Sequence, residues 1–147
     1  MKLLLSLLVS LAGAVTAVQV GMNAQLRQSF GHGLLGAVTN FTIGTVILWG
    51  VVLAARLPMP SLAQAATVPW WAWLGGACGA FIVTTITITG RELGALAIAA
   101  LSLSGSLLMS VVLDHFGWFG FPERPFTLTK LVGCVLLVVS FLLFREN

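Results

Sequence analysis

Five stretches of apolar residues, each close to the length needed to cross a bilayer, leave this chain few folds to choose from. A hydrocarbon core of ~30 Å takes ~20 residues of helix. The stretches run from Leu3 to Met22, Gly33 to Ala55, Ala72 to Thr89, Leu93 to Leu113 and Leu128 to Phe144. Inside hydrocarbon every backbone N–H and C=O must be paired within the protein, which a helix achieves by itself. The pattern predicts an all-α membrane protein: a bundle of five transmembrane helices forming a single domain over residues 1–147.

The charges agree with this. Only 7% of the residues are charged and 59% are hydrophobic, whereas a soluble domain carries about 25% charged residues. Arg27, Arg56, Arg91, Glu92, Asp114, Glu123, Arg124, Arg145 and Glu146 fall at or beyond the ends of the stretches. Lys130 lies near the start of the fifth and must snorkel to the headgroups. The N-terminal run, opened by Lys2 and containing Ala12, Ala14 and Ala17, has features of a signal peptide. Its hydrophobicity continues through Val18, Val20 and Met22 to spanning length, so it is read as the first helix. Gly90-Arg91-Glu92 predicts a tight hairpin between the third and fourth helices.

Several function classes are excluded as expectations. The basic residues are scattered rather than clustered, so no nucleic-acid partner is expected. His32 and His115 have no nucleophile or acid partner, and no phosphate-cradling glycine loop or workable carboxylate pair is present. No enzyme, cofactor or metal is therefore expected. Cys78 and Cys134 sit in apolar runs as small packing residues.

What remains is polarity within the helices. Gln19 and Asn23 stand four apart, with Thr16 and Gly13 on earlier turns, making one polar, small-residue face. An unpaired amide in hydrocarbon costs several kcal/mol, so this face must meet protein or a hydrated cavity. The two alternatives are helix–helix hydrogen bonding and a cavity wall that offers a substrate donors and acceptors. Asn40, flanked by Gly36 and Gly44, poses the same choice, and there the glycines favour a close helix seam. Trp49 lies well inside the second helix, facing lipid or lining a cavity for an apolar or cationic solute. Ser102, Ser106 and Ser110 form a stripe beside Gly105, and Gly75-xxx-Gly79 fits the small-xxx-small packing pattern. Asp114 ends the fourth helix, where the dipole disfavours a carboxylate. It caps the following turn or pairs with Arg124 or Lys130.

Orientation is poorly specified. With five spans, one side carries Lys2, Arg56, Arg124 and Lys130 and the other Arg27, Arg91 and Arg145. Such a balance gives almost no positive-inside bias and admits dual topology, with two copies of the chain inserted in opposite directions. Leu11-Ala-Gly-Ala14 echoes Leu74-Gly-Gly-Ala77, and Gly44 stands to Gly13 nearly as Gly105 does to Gly76. Helices 1–2 would then repeat as helices 3–4. Two oppositely oriented copies of an odd-helix unit generate the inverted repeat from which transporters build alternating access.

Gln19-xxx-Asn23-xx-Leu26, Leu93-Gly-Ala95, Gly105-Ser106, Asp114-His-Phe-Gly-Trp-Phe-Gly120 and Leu131 to Leu136 with Gly133 together resemble the small bacterial YdcZ-type family. That family is a half-size branch of the drug/metabolite transporter superfamily. The resemblance covers essentially the whole chain, and the Asp-His-Phe-Gly turn is its most specific part. It implies a five-helix, multi-pass protein of the bacterial inner membrane with an export role and a tendency to dimerise. The chain departs from the family pattern at Ser106, where Gln is common, and at Glu92, where an uncharged residue is usual.

The expectation is a homodimeric small-molecule exporter in contact with membrane lipids, with a central cavity formed by Gln19, Asn23, Asn40, Trp49 and Ser106. Gly13, Gly36, Gly44, Gly75, Gly79 and Gly105 would serve helix packing. The rival is a membrane scaffold or accessory subunit that uses the same polar and glycine faces for partner contacts.

Overall fold

The computed structural model describes residues 1–125 and 127–145, with side chains for all of these except 137 and 140–145. Glu146 lies outside them. The described chain is all-helical. Helix α1 is Lys2–Phe30, α2 Gly33–Ala54, α3 Leu62–Ala66, α4 Gly75–Phe116 and α5 Leu128–Arg145. Short 3-10 turns occupy Trp70–Leu74 and Trp118–Gly120. Among the described residues, Lys2–Phe30, Gly33–Ala54 and Trp70–Phe116 are helical segments long and apolar enough to cross a membrane.

The third and fourth expected helices are the two runs of α4. Within α4 only Gly94 has non-helical dihedrals, φ 77° and ψ 160°, a region open essentially to glycine alone. The break therefore falls at Gly94 rather than at Gly90-Arg91-Glu92, giving runs of 75–93 and 95–116. Arg91 and Glu92 carry Cβ atoms and have ordinary helix propensity, so the helix continues through them to the glycine.

Helix α1 also differs from expectation, passing Met22 and ending at Phe30. The apolar run stops at Met22, but residues 23–30 hold good helix formers and no proline, so propagation continues. The stop is Gly31, left-handed at φ 73°, a common C-terminal cap. His32 then caps α2, its Nδ1 accepting from the Leu34 N–H at 3.2 Å. In the 54–75 connection Ser61 and Gln64 form a reciprocal capping box that nucleates the five-residue α3.

Residues 1–91 and 92–147 form two compact units. In the first, α1 and α2 pack against each other, and the 75–93 run joins them at a glycine seam. A Cβ on Gly33 would fall 2.6 Å from Ile88 Cγ1, and one on Gly36 3.2 Å from Thr87 Cγ2 and 3.3 Å from the Arg27 backbone nitrogen. Around this seam Val20, Asn23, Ala37 and Thr87 are buried, Thr87 completely. The Thr87 hydroxyl donates to the Val83 carbonyl at 2.7 Å, so its burial leaves no unmet polar group. The Arg27 guanidinium donates to the Ile88 carbonyl, tying the end of α1 to the third span.

In the second unit the 95–116 run ends in the Asp114-to-Gly120 turn. Gly117 is left-handed at φ 61°, and a Cβ there would lie 2.7 Å from Glu123 Cγ. Phe116 and Trp118 stack with ring centroids 5.3 Å apart. The chain then folds back, with the Arg124 N–H donating to the Asp114 carbonyl at 2.7 Å. Thr127 opens α5 by accepting from the Lys130 N–H at 3.4 Å. Of the pairings open to Asp114, the structure forms the one with Lys130, at 3.7 Å.

The seam yields a stability test. Gly36→Leu is expected to destabilise the protein by about 1–3 kcal/mol, because three chain segments would have to separate. Gly21→Ala, with nothing within 4 Å of the new Cβ, should leave the thermal midpoint in detergent unchanged. Equal midpoints for the two variants would show that the seam does not hold the unit together.

Candidate functional site

The glycines that bring the helices together lie at the start of α2; farther along, the same helix faces open space. Asn40, Phe41, Gly44, Thr45 and Leu48 from α2, Gln19 from α1 and Val83 from α4 line a cavity of about 250 Å³. Asn40, Gly44 and Leu48 are four apart, as are Phe41 and Thr45, so two adjacent helical rows supply most of the wall. Gln19 lies one residue before buried Val20 and four before buried Asn23. Packing of that face in the seam therefore directs the preceding turn of α1 toward α2.

The chemistry of the wall is specific in kind. Two carboxamides, each with two donors and an acceptor oxygen, are set on different helices, with a hydroxyl from Thr45 beside them. Phe41, Leu48 and Val83 supply the apolar remainder. None of the residues lining the cavity is ionisable. Such a wall can hold a small molecule through hydrogen bonds and dispersion while excluding most competing water.

Two further cavities share parts of α2. One of about 510 Å³ lies between Leu34–Val46 positions of α2 and Ala80 and Thr84 of α4, and it meets the amide cavity at Phe41 and Thr45. The other, about 380 Å³, is lined by Thr45, Leu48, Trp49, Val52 and the Leu57-to-Pro60 segment. Phe41, Thr45 and Leu48 are thus the residues common to more than one cavity, and none of them stands out in the sequence. Their one signal is helical spacing, Leu48 continuing the Asn40–Gly44 row and Phe41 and Thr45 forming the row beside it, hidden because Phe, Thr and Leu are ordinary in any membrane helix.

The five expected binding residues do not all meet. Gln19 and Asn40 share the amide cavity. Asn23 is 2% exposed in the seam and does not line it. Trp49, 51% exposed, lines the neighbouring cavity instead. Ser106 belongs to the 92–147 unit, and its hydroxyl donates to the Leu103 carbonyl at 2.9 Å. Of the expected packing glycines, Gly36 lies in the seam, and a Cβ on Gly79 would stand 3.4 Å from the Phe41 ring. Gly44 lines the amide cavity. At Gly13, Gly44, Gly75 and Gly105 nothing lies within 4 Å of the position a Cβ would take, so each leaves a shallow notch along its helix. Among the described residues no group of three or more His, Cys, Asp or Glu is placed to hold a metal ion.

Comparison with known proteins adds one finding. A protein family described as "Putative inner membrane exporter, YdcZ" matches residues 4–143. No curated protein and no solved structure matches the chain.

The amide cavity can be tested for access to water. In a cysteine-free background, Asn40→Cys should react with a hydrophilic maleimide, which needs a hydrated thiolate. Ile47→Cys, on the 60% exposed outer face, should not. Equal reactivity at the two positions would show that the cavity is no more hydrated than the lipid-facing surface.

Proposed function

The chain belongs to the YdcZ family, and we propose that it exports a small, hydrogen-bonding molecule through the cavity walled by Gln19 and Asn40. The observation that carries this is the convergence of two amides from different helices on one otherwise apolar space. Placing an amide in a membrane helix is costly unless something pairs with it. Two that line one cavity suit a solute that brings its own donors and acceptors. Phe41, Thr45 and Leu48 would connect this space to the adjoining cavities as the solute moves.

The functional unit on this proposal is a homodimer. Apolar side chains cover the outside of α1 and α2, including Leu3, Val9, Ile47 and Leu53. The open notches at Gly13, Gly75 and Gly105 suit close approach by another helix. Near-equal basic charge on the two sides supports insertion of the two copies in opposite directions. An antiparallel pair of five-helix chains supplies the inverted symmetry that alternating access requires. The glycine notches also suit a second reading, a membrane accessory subunit that docks on a different protein.

Gln19→Leu and Asn40→Leu should each lower export from reconstituted vesicles by about tenfold, the effect of losing one to two hydrogen bonds to the solute. Unchanged export in Gln19→Leu would remove that residue from the site. For topology, Arg27→Cys and Arg56→Cys should each be labelled from both faces of sealed vesicles if insertion is dual. Labelling of each from one face only would exclude it.

A further inference from the structure

The 92–147 unit contains a second cavity, largely apolar with one ion pair on its wall, that the proposed export site does not use. It is a cavity of about 280 Å³, with Asp114 and Lys130 on its wall beside Ser110 and Cys134. Leu107 and Val111 form an apolar flank, and Gly133 contributes no side chain to fill it. The two charged side chains are 31% and 28% exposed, and their N···O separation is 3.7 Å. A charge-assisted hydrogen bond is shorter, about 2.7–2.9 Å. Asp114 and Lys130 therefore attract one another without being locked together. Lys130 Nζ also lies 3.4 Å from the Arg124 carbonyl, and Arg124 N–H holds the Asp114 carbonyl, so the backbone turn fixes both ends of the pair.

We propose that this cavity binds a small zwitterion, its ammonium against Asp114 and its anionic end against Lys130. The pair carries no net charge. A simple cation drawn to Asp114 is repelled by Lys130, and a simple anion meets the reverse, so neither gains much. A molecule bearing both charges lies antiparallel to the pair and is attracted at both ends. The Ser110 hydroxyl adds one further donor or acceptor. Leu107 and Val111 accommodate a short carbon skeleton. This chemistry is shared by free amino acids and by the phosphoethanolamine headgroup of a lipid, whose phosphodiester supplies the anionic end. The proposal stands apart from the Gln19–Asn40 site and does not depend on it.

Cys134 lines the cavity and reports on its occupancy. In full-length Cys78→Ser protein, Cys134 is the remaining thiol, and its maleimide labelling rate can be followed in nanodiscs of phosphatidylglycerol. β-Alanine and glycerophosphoethanolamine should slow labelling about tenfold at about ten times their Kd, as expected for competitive occupancy. Methylammonium and acetate, alone, should not slow it. If slowing instead appears on adding phosphatidylethanolamine to the disc and soluble zwitterions add nothing, the occupant is the lipid headgroup. If soluble zwitterions act in both discs, it is a free solute. Absence of slowing by any zwitterion, or equal slowing by methylammonium or acetate, overturns the proposal. Asp114→Asn and Lys130→Gln should each abolish protection, and protection that survives in either overturns it. Because either substitution can also disrupt the turn, the charge-exchanged Asp114→Lys/Lys130→Asp protein is the deciding control. It keeps the pair and should keep protection, and its loss there also overturns the proposal.

Discussion

Hydrocarbon tolerates neither an unpaired backbone group nor a lone charge, and most of this structure follows from that intolerance. Helices result because they pair their own backbone. Charges collect at or beyond the ends of the apolar stretches, as Arg27, Arg56 and Arg91 do. The same constraint explains the side-chain hydroxyls. Thr16, Thr39, Thr42, Thr87 and Thr89 each donate to a carbonyl four residues back on their own helix. Those residues are polar in composition and nearly apolar in behaviour. Amides cannot hide in this way, so Gln19 and Asn40 mark the places where the chain keeps polarity available.

Within the 1–91 unit, packing is decided over a short distance. Gly33 and Gly36 remove side chains where α2 meets Arg27 on one side and Thr87 and Ile88 on the other. Close approach there is compatible with separation farther along α2, where Phe41, Thr45 and Leu48 line open space. The start of α2 thus holds the close contacts, and cavity-lining residues run along the helix from Leu34 to Val52. The Arg27 guanidinium on the Ile88 carbonyl adds a charged tie at this seam, where the long arginine side chain reaches backbone that a shorter one would miss. In the 92–147 unit, a turn that needs left-handed Gly117 plays the comparable part, bringing Asp114 and Lys130 to one cavity.

The long apolar helices were legible because helix length and hydropathy are both local properties. Their ends were less so. Helix α1 passes Met22 because Ala24, Gln25 and Leu26 propagate a helix whether or not lipid surrounds it, and only Gly31 stops it. The break in α4 comes at Gly94, beyond the charged pair that marked the expected turn, because Arg91 and Glu92 oppose burial without opposing helix. Polarity indicated where the apolar stretch ends, and backbone chemistry where the helix ends.

For the candidate site the division is sharper. Sequence alone determined which side chains are chemically unusual: Gln19, Asn23 and Asn40 are amides in apolar helices, an oddity visible without coordinates. Only the tertiary structure decided which of them share a space. It buried Asn23 in the glycine seam, placed Gln19 and Asn40 on one cavity, and set Trp49 on the next. Helical periodicity states which residues share a face of one helix, whereas the rotation of that face toward its neighbours is fixed by close contacts such as Gly36 on Thr87. Those contacts join residues far apart in the chain, and no local pattern encodes them.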